Sequence, residues 1–175
     1  MNQNKRNMTR VLINGTIQQV WDALTKQGEP LPFFFGSVMH TSGMHPGAQI
    51  RMRTDCNKYT GVVGEILEVD PPHRFSHTFK FTHVDDPPCK VTYELKEIDG
   101  GVEFTLISED MPAGTRTEKD MVAGARIITS TLKGMIENGR PPFKSRFILL
   151  MCRLTKFMSP KRSLSTNWPL EKSVC

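Results

Sequence analysis

Hydrophobic and polar positions alternate most clearly from Arg74 to His83, with Phe75, His77, Phe79, Phe81 and His83 on one side and Ser76, Thr78, Lys80 and Thr82 on the other. Lys90 to Ile98 repeats the pattern, with Val91, Tyr93 and Leu95 opposite Thr92, Glu94 and Lys96. A period of two is that of a strand with one covered face. Asp99-Gly100-Gly101 then fits a tight hairpin, and Val102, Phe104 and Leu106 carry the apolar side onward. Upstream, Gly61 to Val69 reads as a strand ended by Asp70-Pro71-Pro72, and Ala48 to Thr54 as another with Ile50 and Met52 on one face. Together these segments predict an antiparallel meander with one polar and one apolar face.

The period changes on both sides of the meander. Met8 to Asn14 predicts a first strand, and Thr16 with Gln19 forms a capping-box pattern before Ile17, Val20, Trp21 and Leu24, which share a helical face. Leu31-Pro32-Phe33-Phe34-Phe35 follows as an apolar connector or short helix. After Met111-Pro112-Ala113-Gly114, expected to break the strand series, Met121, Ala125, Ile128, Leu132 and Met135 form one stripe. That spacing predicts a helix over 117–138 of about six turns, closed by Gly139. A sheet with one apolar face needs a cover, and this helix is the expected one.

The order of elements and several stretches resemble the START-like helix-grip superfamily (SRPBCC). Within it, they resemble the family related to the activator of the heat-shock-protein-90 ATPase. Val20-Trp21-Asp22-Ala23-Leu24-Thr25 is similar to the family's first-helix signature, and Pro46-Gly47 to the pair that opens one of its strands. Gly64 to Phe75, with Asp70-Pro71-Pro72-His73-Arg74 at its centre, resembles its most recognisable strand-turn-strand. Val91-Thr92-Tyr93-Glu94-Leu95 and Leu132 to Gly139 fit as well. The resemblance implies an α+β helix-grip fold over residues 1–139, a curved antiparallel sheet of about six or seven strands around a long C-terminal helix.

It also implies a pocket between sheet and helix, with an expected lining of Trp21, Phe33, Phe34, Met52, His77, Phe79, Phe81, Tyr93, Phe104, Met121, Ala125 and Ile128. Three positions depart from the family pattern: Ala125 and Phe79 stand where Trp is common, and His77 where an aromatic is common. Each removes ring volume or adds polarity, so the resemblance implies a roomier, slightly more polar cavity. Such walls suit a hydrophobic small molecule or lipid. Among them His77 and Tyr93 could orient a carbonyl or carboxylate, or serve as ordinary core residues. The leading expectation is a non-enzymatic carrier or sensor without a cofactor. A chaperone-directed interaction module is the second reading; the further domain on which that role usually depends is not expected in a chain of this length. A cyclase- or aromatase-type enzyme is the third. No nucleophile elbow, Ser-His-Asp set or phosphate-binding glycine loop is present in the sequence.

Charge and cysteines narrow the classes further. His40, His45, Asp55 and Cys56 lack regular metal-ligand spacing and read as loop residues, and Asp85-Asp86 before Pro87-Pro88 reads as turn chemistry. Cys56, Cys89, Cys152 and Cys175 show no CxxC pairing, and the polar start of the chain predicts no secretory signal. Reduced thiols and a cytoplasmic location are therefore expected.

The formal charge of +5 is unevenly placed: residues 140–175 carry eight basic residues against Glu171, and residues 1–139 carry 15 basic against 17 acidic. Specific nucleic-acid binding by the domain therefore loses its support. Within the basic segment, residues 142–158 predict an amphipathic helix with Phe143, Phe147, Leu150, Met151, Leu154, Phe157 and Met158 on one arc and Lys144, Arg146, Arg153 and Lys156 beside it. Three readings stay open: packing on the domain or a second subunit, peripheral contact with an anionic membrane, or a lid over the cavity. Residues 160–175 are expected to form a loosely ordered tail.

Overall fold

The computed structural model describes residues 4–155 and 158–170. Eight strands form one antiparallel sheet: β1 (Asn4–Ile13), β2 (Pro30–Leu31), β3 (Ser37–Thr41), β4 (Gln49–Arg53), β5 (Thr60–Asp70), β6 (Arg74–Phe81), β7 (Cys89–Ile98) and β8 (Gly101–Pro112). Their spatial order is β1-β8-β7-β6-β5-β4-β3-β2. Three helices accompany them, α1 (Ile17–Thr25), α2 (Arg116–Asn138) and α3 (Phe143–Thr155). The fold is the α+β helix-grip arrangement, a curled sheet held against the long helix α2.

Local chemistry sets the boundaries. Thr16 and Gln19 make the reciprocal capping box that starts α1. The Thr115 hydroxyl accepts from the Glu118 amide to start α2, and Gly139, with φ of 66°, donates to the Met135 carbonyl to end it. The alternating side chains of β6, β7 and β8 place Phe75, His77, Val91, Tyr93, Leu95, Phe104 and Leu106 on the inner face, all buried. Met121, Ala125 and Leu132 of α2 are buried with them, and Ile128 and Met135 are half-buried.

The sheet exceeds the expected six or seven strands because β2 and β3 are too short and mixed in polarity to show a period. β8 also continues through Met111-Pro112, where a break was expected. Its pairing with β7 ends at Glu109, so beyond that point only β1 lies alongside. The donor missing at Pro112 falls at the ladder's end, opposite Asn4, where it costs little. Nor is the outer face uniformly wet: Ser76, Thr82 and Thr92 are buried there.

Thr82 is covered by the segment expected to be a loose tail. Its hydroxyl contacts the Ser163 hydroxyl at 2.8 Å, and Ser165 contacts Thr60 at 3.0 Å. Arg51 and Arg53 donate to the carbonyls of Pro169 and Trp168, and Leu164 bridges to Tyr59. Residues 160–170 are thereby fixed along β4 and β5 by paired small polar groups, a signal that hydrophobic periodicity does not carry.

For α3, one of the three readings, an apolar arc packed on the domain, does not hold. Its apolar arc faces solvent, and the side packed inward centres on Ser145, whose hydroxyl meets that of Thr131 on α2 at 2.6 Å. Gly134 of α2 admits Pro142, since a Cβ there would lie 2.7 Å from the Pro142 ring. Lys156, Phe157 and Cys175 lie outside the described residues.

Candidate functional site

A cavity of about 110 Å³ lies between the sheet and the first half of α2. β6 contributes Phe75, His77, Phe79 and Phe81, and β7 contributes Val91 and Tyr93. Leu106 and Ser108 come from β8, Met39 from β3, Ile50 and Met52 from β4, and Val62 from β5. α2 supplies Asp120, Met121, Gly124, Ala125 and Ile128, the segment before β3 supplies Phe34 and Phe35, and Ser37 opens β3. Phe34, Met52, His77, Phe79, Phe81, Tyr93, Met121, Ala125 and Ile128 of the expected lining therefore share one wall system.

Trp21, Phe33 and Phe104 do not line the cavity. All three are buried in the core behind it. α1 begins beside the far end of α2, where the Asn14 amide donates to Glu137 at 2.8 Å. That places Trp21 away from the cavity half of the helix. Phe104 stacks behind Tyr93, with ring centroids 6.3 Å apart, and Phe33 packs on the far side of Phe34 at 4.6 Å. Periodicity reports which face a residue occupies, not how deep along the element the cavity runs. Phe75, Val91, Leu106 and Ile50 were legible in principle, each two residues from an expected lining residue on the same strand. Asp120, Phe35 and Ser37 gave no such signal.

Among the polar residues of the lining, which also include Ser37, Ser108 and Asp120, His77 and Tyr93 form a buried pair. His77 Nδ1 lies 2.7 Å from the Thr78 carbonyl, which can only accept, so Nδ1 carries the proton in the neutral ring. Nε2 is then an acceptor, and the Tyr93 hydroxyl donates to it at 3.4 Å, a long and weak bond. Burial pushes the His77 pKa down to about 4, partly opposed by the Thr78 carbonyl. Burial likewise raises that of Tyr93. At neutral pH the pair is therefore uncharged and offers one acceptor and one donor that a ligand could take over. Phe75 and Phe79 flank the imidazole, with centroids at 5.5 and 6.3 Å.

Gly64 makes this arrangement fit. It lies on β5 two residues before the register shift between Ile66 and Glu68, and a Cβ there would fall 1.9 Å from the Thr78 carbonyl oxygen and 3.5 Å from His77 Nδ1. Any side chain at position 64 would displace the carbonyl that fixes the imidazole tautomer.

Where Asp120 lines the cavity it is 38% exposed, paired with Arg116 at 3.3 Å and 3.9 Å from His83. Among the described residues no group of three His, Cys, Asp or Glu side chains could hold a metal ion. Cys89 is buried beside the Phe79 carbonyl, and burial pushes its thiol up to about 11, so it is a poor nucleophile.

A family model described as Activator of Hsp90 ATPase homolog 1-like protein matches residues 14–137, and the chain belongs to that family. Protein CV1439 from Chromobacterium violaceum is similar in structure, with a TM-score of 0.58 at 18% identity, covering 75% of this chain and 96% of that one. CalU16 from Micromonospora echinospora matches with a TM-score of 0.60 at 14% identity over 86% of this chain and 91% of its own. The Aha1 dimer from Colwellia psychrerythraea gives 0.63 at 14% identity over 77% and 98%. At such identities the likeness is one of fold. No curated protein matches the chain.

Proposed function

We propose that this member of the family holds a hydrophobic small molecule or lipid between its sheet and α2, as a carrier or sensor without chemistry of its own. The carrying observation is the cavity itself: apolar on nearly every wall, with one neutral donor–acceptor pair, His77 and Tyr93, at its inner surface. A site built this way gains from apolar contact and orients its guest by a single polar group.

Its size bounds the guest. Benzene fills an engineered cavity of ~150 Å³, so the 110 Å³ here takes no more than about six carbons as it stands. Six CH₂ equivalents at ~0.8 kcal/mol each contribute ~5 kcal/mol, below the ~8 kcal/mol of micromolar binding even before association costs. A tightly held guest therefore takes the Tyr93 hydrogen bond and extends past Phe35 toward Asp120. The carrier reading is tested by mass spectrometry of an organic extract of the purified protein, beside an Ala125→Leu variant that narrows the cavity. A co-purifying hydrophobic compound that is lost from the variant, with the melt retained, is the expected result. An empty extract from both rejects the reading.

Family membership supports a second reading, a cochaperone acting on a heat-shock-protein-90 ATPase. Here the chain would raise the chaperone's ATPase rate, and Ala125→Leu would leave that effect intact. Catalytic turnover abolished by His77→Asn or Tyr93→Phe would instead assign the pair to an enzyme.

A further inference from the structure

α3 turns its apolar side away from the molecule. Phe143 is 82% exposed and Phe147 60%, and Leu150, Met151 and Leu154 are exposed on the same arc of about 100°. The opposite side is the docked one: Ser145 is buried against Thr131, and Leu149 lies over Gly36. The cations take the boundary between the two. Lys144 flanks the arc on one edge and Arg146 and Arg153 on the other, all three exposed, and α3 contains no acidic residue. No acidic residue occurs anywhere from 140 to 170, and Arg140 adds to the basic set, whereas Arg162 is ion-paired with Asp85.

We propose that this face of α3 docks on an anionic membrane surface, with the Phe and Leu side chains among the acyl chains and the flanking cations at the lipid phosphates. Long basic side chains at the edge of an apolar stripe reach the headgroup level while the stripe goes in. A second copy of the chain fits the same face poorly. Two such stripes would bring like charges together with no carboxylate on either helix to balance them. A 13-residue helix is also only about 20 Å long, so the stripe buries roughly 200–300 Å² per partner against the ~800 Å² typical of a stable interface. At that length α3 lies on a bilayer rather than crossing it. The inference rests on α3 alone and stands or falls independently of the cavity.

Flotation of the full chain with vesicles tests it, using phosphatidylcholine alone and phosphatidylcholine with about one part in three phosphatidylserine. The chain is expected on the anionic vesicles, with binding that weakens as salt rises. Arg146→Gln with Arg153→Gln should lower the partition by roughly 30-fold. Phe147→Ser with Leu150→Ser should lower it at least ~10-fold while leaving the thermal melt unchanged, since both side chains are already in solvent. Binding to neither vesicle, or equally to both, overturns the proposal. So does concentration-dependent dimerisation in sedimentation that the Phe147→Ser, Leu150→Ser variant abolishes, which would give the stripe to a second copy.

Discussion

α2 and α3 are both amphipathic helices, yet the structure treats their apolar faces in opposite ways. α2 buries Met121, Ala125 and Leu132 against the curled sheet and meets α3 through Thr131, whose hydroxyl contacts that of Ser145. α3 presents Phe143, Phe147, Leu150 and Leu154 to solvent. The sheet has one inner face, and α2 with α1 already fills it. An apolar stripe states that a face needs a cover but does not name the cover. The contrast can be broken by measurements that ask whether each face behaves as its environment requires.

The largest difference lies in truncation. Leu132 is fully buried, so Leu132→Ala should lower unfolding free energy by about 2–5 kcal/mol. Leu154→Ala, on the exposed arc, should change it by less than ~0.5 kcal/mol. Urea midpoints at matched slopes read both values. Comparable losses would mean that the α3 stripe is covered in solution.

Acid should act through His77 on the side that α2 covers and not on the α3 stripe. In the unfolded chain His77 titrates near its ordinary 6.5, and in the fold near 4. The unfolded chain therefore binds the extra proton first as pH falls. The stability that neutral His77 permits is full above about 6.5, declines between 6.5 and 4, and is constant below. Over that window the loss approaches ~3 kcal/mol as an upper bound, and His77→Phe should flatten this part of the pH–stability curve. An unchanged slope in the variant would show that other groups carry the acid sensitivity. The exposed stripe of α3 holds no titratable group and predicts no slope of its own.

The same contrast explains what was legible in the sequence. Alternation across β6, β7 and β8 and the 121–135 stripe identify the sheet, its cover and most of the cavity wall, because each reports a face that a single large neighbour covers. The capping box at Thr16 and the glycine at 139 mark helix ends through backbone chemistry that is local by nature. What periodicity leaves out depends on partners distant in the chain. The lodging of residues 160–170 along β4 and β5 rests on hydroxyl pairs between Thr82 and Ser163 and between Thr60 and Ser165, more than 80 residues apart. Phe35 reaches the cavity from a left-handed turn at φ of 57°, a direction no spacing rule gives. The inward side of α3 was equally hidden, since it carries Ser145 and Leu149 while five large apolar residues turn outward.

That serine provides a smaller and more discriminating test. Removing its hydroxyl by Ser145→Ala leaves the buried Thr131 oxygen without a partner and should cost about 1–3 kcal/mol of α3 docking. Thr131→Val together with Ser145→Ala removes both groups and should be close to neutral overall. Docking can be followed through Cys152, which is half-buried on the inward side of α3 and whose thiol is raised by burial, against the exposed Cys56. In the native chain Cys152 should react more slowly with a thiol reagent than Cys56. Ser145→Ala should speed Cys152 by roughly fivefold or more at ~1 kcal/mol of lost docking, leaving Cys56 unchanged. The double variant then decides what the hydroxyl pair is for. If Cys152 returns to its slow rate, shape alone selects the inward face of α3. If it stays fast while global stability is restored, the polar contact is what keeps the helix from rolling its apolar stripe inward, and the exposure of that stripe is a property the fold enforces.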